Sequence, residues 1–284
     1  MKRKKLSSEL SKLYSLFLWP SNPEDEKGKK YFKITLKLMK QLINNMWIRE
    51  ILATKKEIKI IEICGGAGFG GVALTKLLLE NGVDVKLIVT DLRKETLETA
   101  LKWGNTVIGN RIEVSLVDAR DVWKLKERFD IALLYGISTP HFNPWEIVKV
   151  FASVSNTLVS EGIFVVDEAD RRYKIFLSQG YQFVLPEGHS DKFVVSFHKG
   201  YNPICGTFKR TFVNMDNPKI KLSAEHFFWG VAEVGALMWT FFEDIDFIDL
   251  KLKDMQYFIL GYKPRKIITP QFLREPTILK KSIK

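Results

Sequence analysis

The sequence predicts an α/β fold: an open, mostly parallel sheet of seven strands with helices on both faces, preceded by a helical addition and carrying an inserted antiparallel hairpin and helix as a cap. Three observations carry this prediction. A strand, a glycine loop and a helix follow one another between Ile58 and Leu79; further short apolar runs each end on polar or small residues; and the regular alternation breaks after Asp167.

The first 57 residues read as two helices. Asn22-Pro23-Glu24-Asp25 offers an N-cap, a proline at the first helical position and acids in the first turn. Phe32, Leu36, Met39, Ile43, Met46 and Trp47 then recur at helical spacing to about Ala53, so one apolar face is expected to pack on the rest of the fold.

Ile58, Ile60, Ile61 and Ile63 mark a buried strand that stops at Gly65-Gly66-Ala67-Gly68, after which Val72, Leu74 and Leu77 to Leu79 begin a helix. Glycine there permits positive φ and lets a ligand approach the main chain, while the first N–H groups of the helix face that ligand. A tight turn with no ligand is the plainer alternative. The next strand, Val85 to Thr90, ends at Asp91, 21 positions beyond Gly70, the spacing at which an acid at the second strand's tip meets a ribose. Strands at Ile112 to Val117 and Phe129 to Leu134 end in Asp118-Ala119-Arg120-Asp121 and Tyr135-Gly136, which gathers polar and small groups on the edge where open parallel sheets bind ligands.

Asn143, Pro144 and Glu146 supply an N-cap, a first-turn proline and a capping-box acid for a helix. A fifth strand, Ile163 to Asp167, leads into about 60 residues outside the alternation, where Phe193 to His198 and Gly206 to Val213 suggest a hairpin and His226 to Phe242 a helix. Ile245 to Leu250 and Gln256 to Tyr262 close the sheet.

Gly66-Ala67-Gly68-Phe69-Gly70-Gly71 also satisfies the dinucleotide fingerprint, but Glu62 argues against it. A carboxylate at that strand end is unfavourable beside a pyrophosphate and suits the ammonium end of an amino-acid-bearing nucleotide, met through water or backbone groups. With Glu62-Ile63-Cys64-Gly65-Gly66-Ala67-Gly68, with Asp91 in VTDLRKETL and with Asp118 in SLVDARD, the chain resembles the class I, Rossmann-like S-adenosylmethionine-dependent methyltransferases over about Lys59 to Lys263. The resemblance implies S-adenosyl-L-methionine as cofactor, held by Glu62, Cys64, Gly65, Gly66, Gly68, Asp91, Leu92, Asp118, Ala119 and Tyr135, with Asp91 on the ribose and Asp118 on the adenine amine. It also implies the antiparallel final strand pair and a cap over the acceptor. No metal is expected. Cys64 replaces the first glycine of the motif, so the turn must accept a Cβ; its plain reading is a small buried side chain. Tyr135-Gly136-Ile137-Ser138 stands where amino-methyltransferases of nucleobases carry Asn/Asp-Pro-Pro-Tyr/Phe, and no Pro-Cys nucleophile is present, which counts against nucleobase acceptors.

His141 follows the fourth strand and is the leading candidate for a general base, if the acceptor needs one; Tyr135, Glu168, His198 and Tyr201 are placed near it by topology alone, and neither His189 nor His226 has a comparable argument. The aromatics Tyr201, Phe208, Phe212, Phe227, Phe228, Trp229, Trp239, Phe241 and Phe242 crowd the insertion, as core first and as an apolar acceptor lining second.

At 284 residues and 46% hydrophobic content the chain can bury a large core, and its two cysteines suit a reducing cytoplasm. Neither a signal peptide nor a bilayer span is read: Ser7, Ser8, Glu9, Ser11 and Lys12 break the first apolar run, and Phe227 to Phe242 is short and carries Glu233. Residues 1 to 5 hold four basic side chains and residues 264 to 284 six basic and one acidic, so the ends carry nine of the +11 net charge. Basic tails of this kind are solvated, or make salt-sensitive RNA contacts. The expected organisation is a helical extension over 1–57, a methyltransferase domain over 58–263 with its cap at about 173–242, and a basic tail over 264–284. A small, partly apolar acceptor is the first expectation; RNA methylation and a noncatalytic cofactor-binding subunit are the alternatives. Oligomeric state is not legible.

Overall fold

The computed structural model describes residues 2–16, 21–187, 193–252 and 255–280, with side chains from Leu6 onward; His189, the basic side chains of residues 2–5 and the last four residues of the basic tail lie outside this description. Its main sheet runs β10 (Phe242–Asp249), β11 (Gln256–Pro264), β5 (Leu158–Ala169), β4 (Phe129–Leu134), β1 (Glu57–Glu62), β2 (Asp84–Asp91), β3 (Ile112–Leu116). β1 to β5 pair in parallel, and β11 lies antiparallel between β5 and β10. Strand order reverses between β1 and β4, which opens a crevice at their carboxyl ends.

Alternation along β1 fills both faces. Ile58 and Ile60 join a core beneath the helices α2 (Glu26–Ile43), α3 (Met46–Thr54), α4 (Phe69–Glu80) and α5 (Lys94–Ile108), while Ile61 joins the opposite core under α6 (Pro144–Thr157) and α7 (Val231–Phe241). α6 starts as its sequence demands, with Asn143 accepting from the Trp145 and Glu146 N–H groups in a complete capping box.

Four expectations need correction. The N-terminal extension forms three helices, because Asn45 accepts from the Trp47 N–H and starts α3 where one helix was expected to run on to Ala53; α1 (Lys2–Leu16) is the third. The cap of α2 is Asp25, two residues past Pro23, and it accepts from the Gly28 N–H. The expected hairpin is the middle of a second, four-stranded antiparallel sheet: β6 (Val184–Pro186), β7 (Val194–Asn202), β8 (Thr207–Asn214) and β9 (Lys221–His226). His226 therefore ends a strand paired with Phe208, and the following helix begins only at Val231, after Gly230.

α1 lies between the two sheets. Leu13 and Leu16 pack with Val194 and Phe212 of the smaller sheet, so the first helix is tied to the cap.

Candidate functional site

The crevice is built around Glu62, buried at the end of β1. Its carboxylate accepts from the N–H groups of Gly70 (3.0 Å) and Gly71 (2.9 Å) in the first turn of α4, satisfying two donors that the helix itself leaves open. A Cβ on Gly71 would stand 2.7 Å from Glu62 Oε2, so this stitch requires glycine. Burial pushes the Glu62 carboxyl up to about 8, against the pull of the Gly71 and Gly70 amides. With both oxygens bonded to α4, Glu62 fixes the loop between β1 and that helix.

That loop turns through left-handed residues, Cys64 at φ 53°, Gly66 at 54° and Gly68 at 78°. Cys64 thus carries its Cβ in a conformation that favours glycine; its side chain is half-buried, and burial raises its thiol pKa. Gly68 faces Val89 and Ala100 and closes the turn into α4.

Asp91 and Asp118, at the tips of β2 and β3, are each clasped by the arginine two residues on. Asp91 Oδ1 accepts from the Arg93 N–H (2.9 Å) and Nε (3.1 Å), while Oδ2 accepts from the Gly66 N–H (2.9 Å) and Arg93 Nη2 (3.3 Å). Asp118 accepts from the Arg120 N–H (3.0 Å), Nε (2.9 Å) and Nη2 (2.6 Å), and Arg120 also reaches Glu146 at 2.7 Å.

Two cavities meet here. A narrow one of about 40 Å³ is lined by Glu62, Gly65, Gly66, Tyr31 and Tyr135; a broad one of about 700 Å³ is lined by Asp91, Leu92, Asp118, Ala119 and His141 and roofed by α1, β8 and β9. Tyr14, Cys64, Arg93 and Ser138 line both and so mark the junction.

The wall on the β4 side is a strained loop. Ile137 has φ 52°, a costly value for a β-branched residue, and its N–H donates to Asp167 at 2.9 Å. Burial pushes the Asp167 carboxyl up to about 6 and that of Glu168, bonded to the Thr139 hydroxyl, up to about 8. The loop ends at His141, whose Nε2 lies 2.9 Å from the Tyr14 hydroxyl and whose ring is 6.0 Å from that of His226. Burial, aided by Arg171 and Arg93, lowers His141 to about 4; burial and His141 lower His226 to about 3. Both imidazoles are neutral at physiological pH.

The structure thus brings every expected cofactor residue except Gly68 onto one of the two cavities. His198 is elsewhere, 2.6 Å from the Tyr181 hydroxyl within the cap, and Tyr201 lines a separate aromatic cavity with Phe208 and Phe227. Glu168 is buried with Thr139 behind the loop. Of the cap aromatics, Phe212, Trp229, Phe241 and Phe242 are core. Sequence reasoning missed Tyr14, Arg93 and His226. Arg93 had a readable signal, since the Asp-x-Arg pattern of 91–93 repeats at 118–120.

Comparison with known proteins places this geometry. The sequence matches no protein-family model and no curated protein. Its structure is similar to that of the CcbJ methyltransferase from Streptomyces caelestis, with a TM-score of 0.58 at 12% identity over 80% of this chain and 88% of that one. It is similar too to an S-adenosylmethionine-dependent methyltransferase from Clostridium acetobutylicum (0.56, 15% identity, 82% and 92% covered) and to a sugar N-methyltransferase from Streptoalloteichus (0.51, 11% identity, 77% and 86% covered). The chain has the Rossmann-like fold of the class I S-adenosylmethionine-dependent methyltransferases. Among the described residues no helix is long and apolar enough to cross a membrane.

Proposed function

We propose that the chain is an S-adenosylmethionine-dependent methyltransferase acting on a small, partly apolar acceptor. The observation that carries this reading is the pair of joined cavities lying across the tips of β1, β2 and β3, in a fold shared with methyltransferases.

The residues fit the donor. Gly65 and Gly66 present bare backbone to the narrow cavity, suited to the amino-acid end; an added Cβ on Gly66 would come within 3.1 Å of Arg93 Nη2. Asp91, Leu92, Asp118 and Ala119 line the broad cavity, which suits the nucleoside and has room beside it. A ribose diol at Asp91 competes with Arg93 Nη2, because all four acceptor positions of that carboxylate are engaged and this contact is the longest. When bound, S-adenosylmethionine supplies a methyl group already activated by its sulfonium.

The chain's own residues then have two tasks, to hold the acceptor in line at the junction and to exclude water. Tyr14, Cys64, Arg93 and Ser138 form the junction, and α1 with the smaller sheet forms the roof. His141 faces the broad cavity as the base for an acceptor that carries a proton. A roofed cavity of this volume, lined by Leu6, Leu10, Leu13, Pro140 and Phe142, favours a small molecule over a polynucleotide. In this reading the methyltransferase body is residues 58–263 and the N-terminal extension completes its site.

Incubating the protein with isotopically labelled donor and size-fractionated cell extract tests the proposal. Label in the small-molecule fraction supports it; label in RNA alone replaces it with the polynucleotide reading.

A further inference from the structure

We propose that Tyr14, on the N-terminal helix, forms a proton relay with His141: the Tyr14 hydroxyl takes the acceptor's proton while passing its own to His141 Nε2. This rests on the methyl-transfer reading above and adds to it the group that meets the acceptor.

Position is the first argument. Tyr14 lines both cavities, whereas His141 lines the broad one alone, so the phenol stands nearer the junction and the imidazole behind it. Direction is the second. The hydroxyl lies 2.9 Å from His141 Nε2, and a phenol is a stronger acid than a neutral imidazole N–H, while an imidazole nitrogen is a stronger base than a phenol oxygen. The proton therefore sits on Tyr14 and points at Nε2, and the imidazole carries its own hydrogen on Nδ1. Burial agrees with this arrangement, holding Tyr14 protonated with a pKa near 12 and His141 neutral.

Fixation is the third. The Arg93 guanidinium lies 4.3 Å from the centre of the Tyr14 ring and is itself held by Asp91. One turn earlier, the Ser11 hydroxyl donates to Glu95 at 2.6 Å, and Leu13 and Leu16 are anchored in the cap core. The relay is thus assembled only when α1 is docked on both parts of the molecule.

The step balances. As the new bond to the methyl carbon forms at the acceptor's oxygen, its O–H becomes strongly acidic; that proton goes to Tyr14 Oη, the Tyr14 proton goes to His141 Nε2, and the imidazolium returns its proton to water. A weakly basic imidazole suffices, because the O–H of the methylated oxygen is a far stronger acid than an imidazolium.

The test uses the full chain, uniformly labelled with ¹⁵N, and the variants Tyr14→Phe and His141→Gln, the second of which assigns the His141 ring signals. The wild-type ring is expected in the Nδ1–H tautomer, moving in Tyr14→Phe toward the Nε2–H form that prevails in water. Affinity for S-adenosylhomocysteine should change by less than about threefold in Tyr14→Phe. Turnover should fall about 10²- to 10⁴-fold in each variant, and no further in the double variant, as for residues that act as a unit. An Nε2–H tautomer in the wild type overturns the relay, as do defects that multiply in the double variant. Loss of S-adenosylhomocysteine affinity equal to the loss of turnover also overturns it, by placing Tyr14 in donor binding through Arg93. The tautomer measurement needs no acceptor, so it judges the Tyr14–His141 bond even where the methyl-transfer reading fails.

Discussion

Glu62 Oε2 and the Gly71 N–H, 2.9 Å apart, join the central strand to the first turn of α4, and Gly70 repeats the bond at Oε1. Because both carboxylate oxygens accept, an amide cannot replace the acid. Glu62→Gln turns one –NH₂ toward a buried N–H, and should cost about 1–3 kcal/mol in denaturant unfolding through the donor left unsatisfied. Unchanged stability would mean that the stitch contributes little to the loop.

The second prediction concerns the clasped carboxylate. Asp91→Ala removes charge-assisted hydrogen bonds and should weaken S-adenosylhomocysteine binding by about 1.5–3 kcal/mol, or roughly 10- to 150-fold. It also leaves the buried Arg93 guanidinium without its partner, so the variant should unfold earlier as well. Calorimetry on protein shown folded by circular dichroism separates the two effects. Full donor affinity in Asp91→Ala would remove Asp91 from the site.

Glu168 gives the pH dependence. Burial raises its carboxyl from 4.5 to about 8 despite Arg171 and Thr139, so between those values the folded protein holds a proton that the unfolded chain releases. The resulting stability is full below about pH 4.5 and is lost as the pH rises through about 8. Glu168→Gln keeps a neutral side chain at every pH. Its deficit relative to the wild type, measured by urea unfolding, should therefore shrink between pH 5 and pH 8.5. A constant deficit would show that Glu168 ionises normally in the folded state.

Two aromatics of the cap should behave oppositely. Trp229 is 4% exposed, with its indole N–H donating to the Phe142 carbonyl at 3.0 Å, and Trp229→Ala should cost about 3–5 kcal/mol. Tyr201 is 54% exposed and rests on Phe208 at 4.9 Å between ring centres, so Tyr201→Ala should cost about 1 kcal/mol or less. Melting curves of the two variants decide. A larger loss in Tyr201→Ala would place the cap's core on its other face.

These contrasts trace what the sequence made legible. β4 was readable to its boundaries because Phe129 to Leu134 is a short run, apolar except for Asp130, and the start of α6 because Asn143, Pro144 and Glu146 act locally. The residues that line the two cavities were readable because they stand at strand tips or in the loops that follow them. Lys221–His226 was not, since this strand buries little of either face and the apolar residues after it imitate a longer helix. Nor was the break between α2 and α3, where the helical spacing of apolar residues runs on through Asn44-Asn45 and only the cap geometry interrupts it. Tyr14 was out of reach for a stronger reason: its partners Arg93 and His141 come from distant segments, and nothing in the pattern of Lys2–Leu16 points to either.

The central claim, that the joined cavities receive a methyl donor and not a dinucleotide, is tested most directly by calorimetric titration of the full chain with S-adenosylmethionine and, separately, with NAD. Saturable one-to-one binding of S-adenosylmethionine, abolished or strongly weakened in Asp91→Ala, with no saturable heat from NAD, is the expected result. Saturable NAD binding with no response to S-adenosylmethionine would contradict the account.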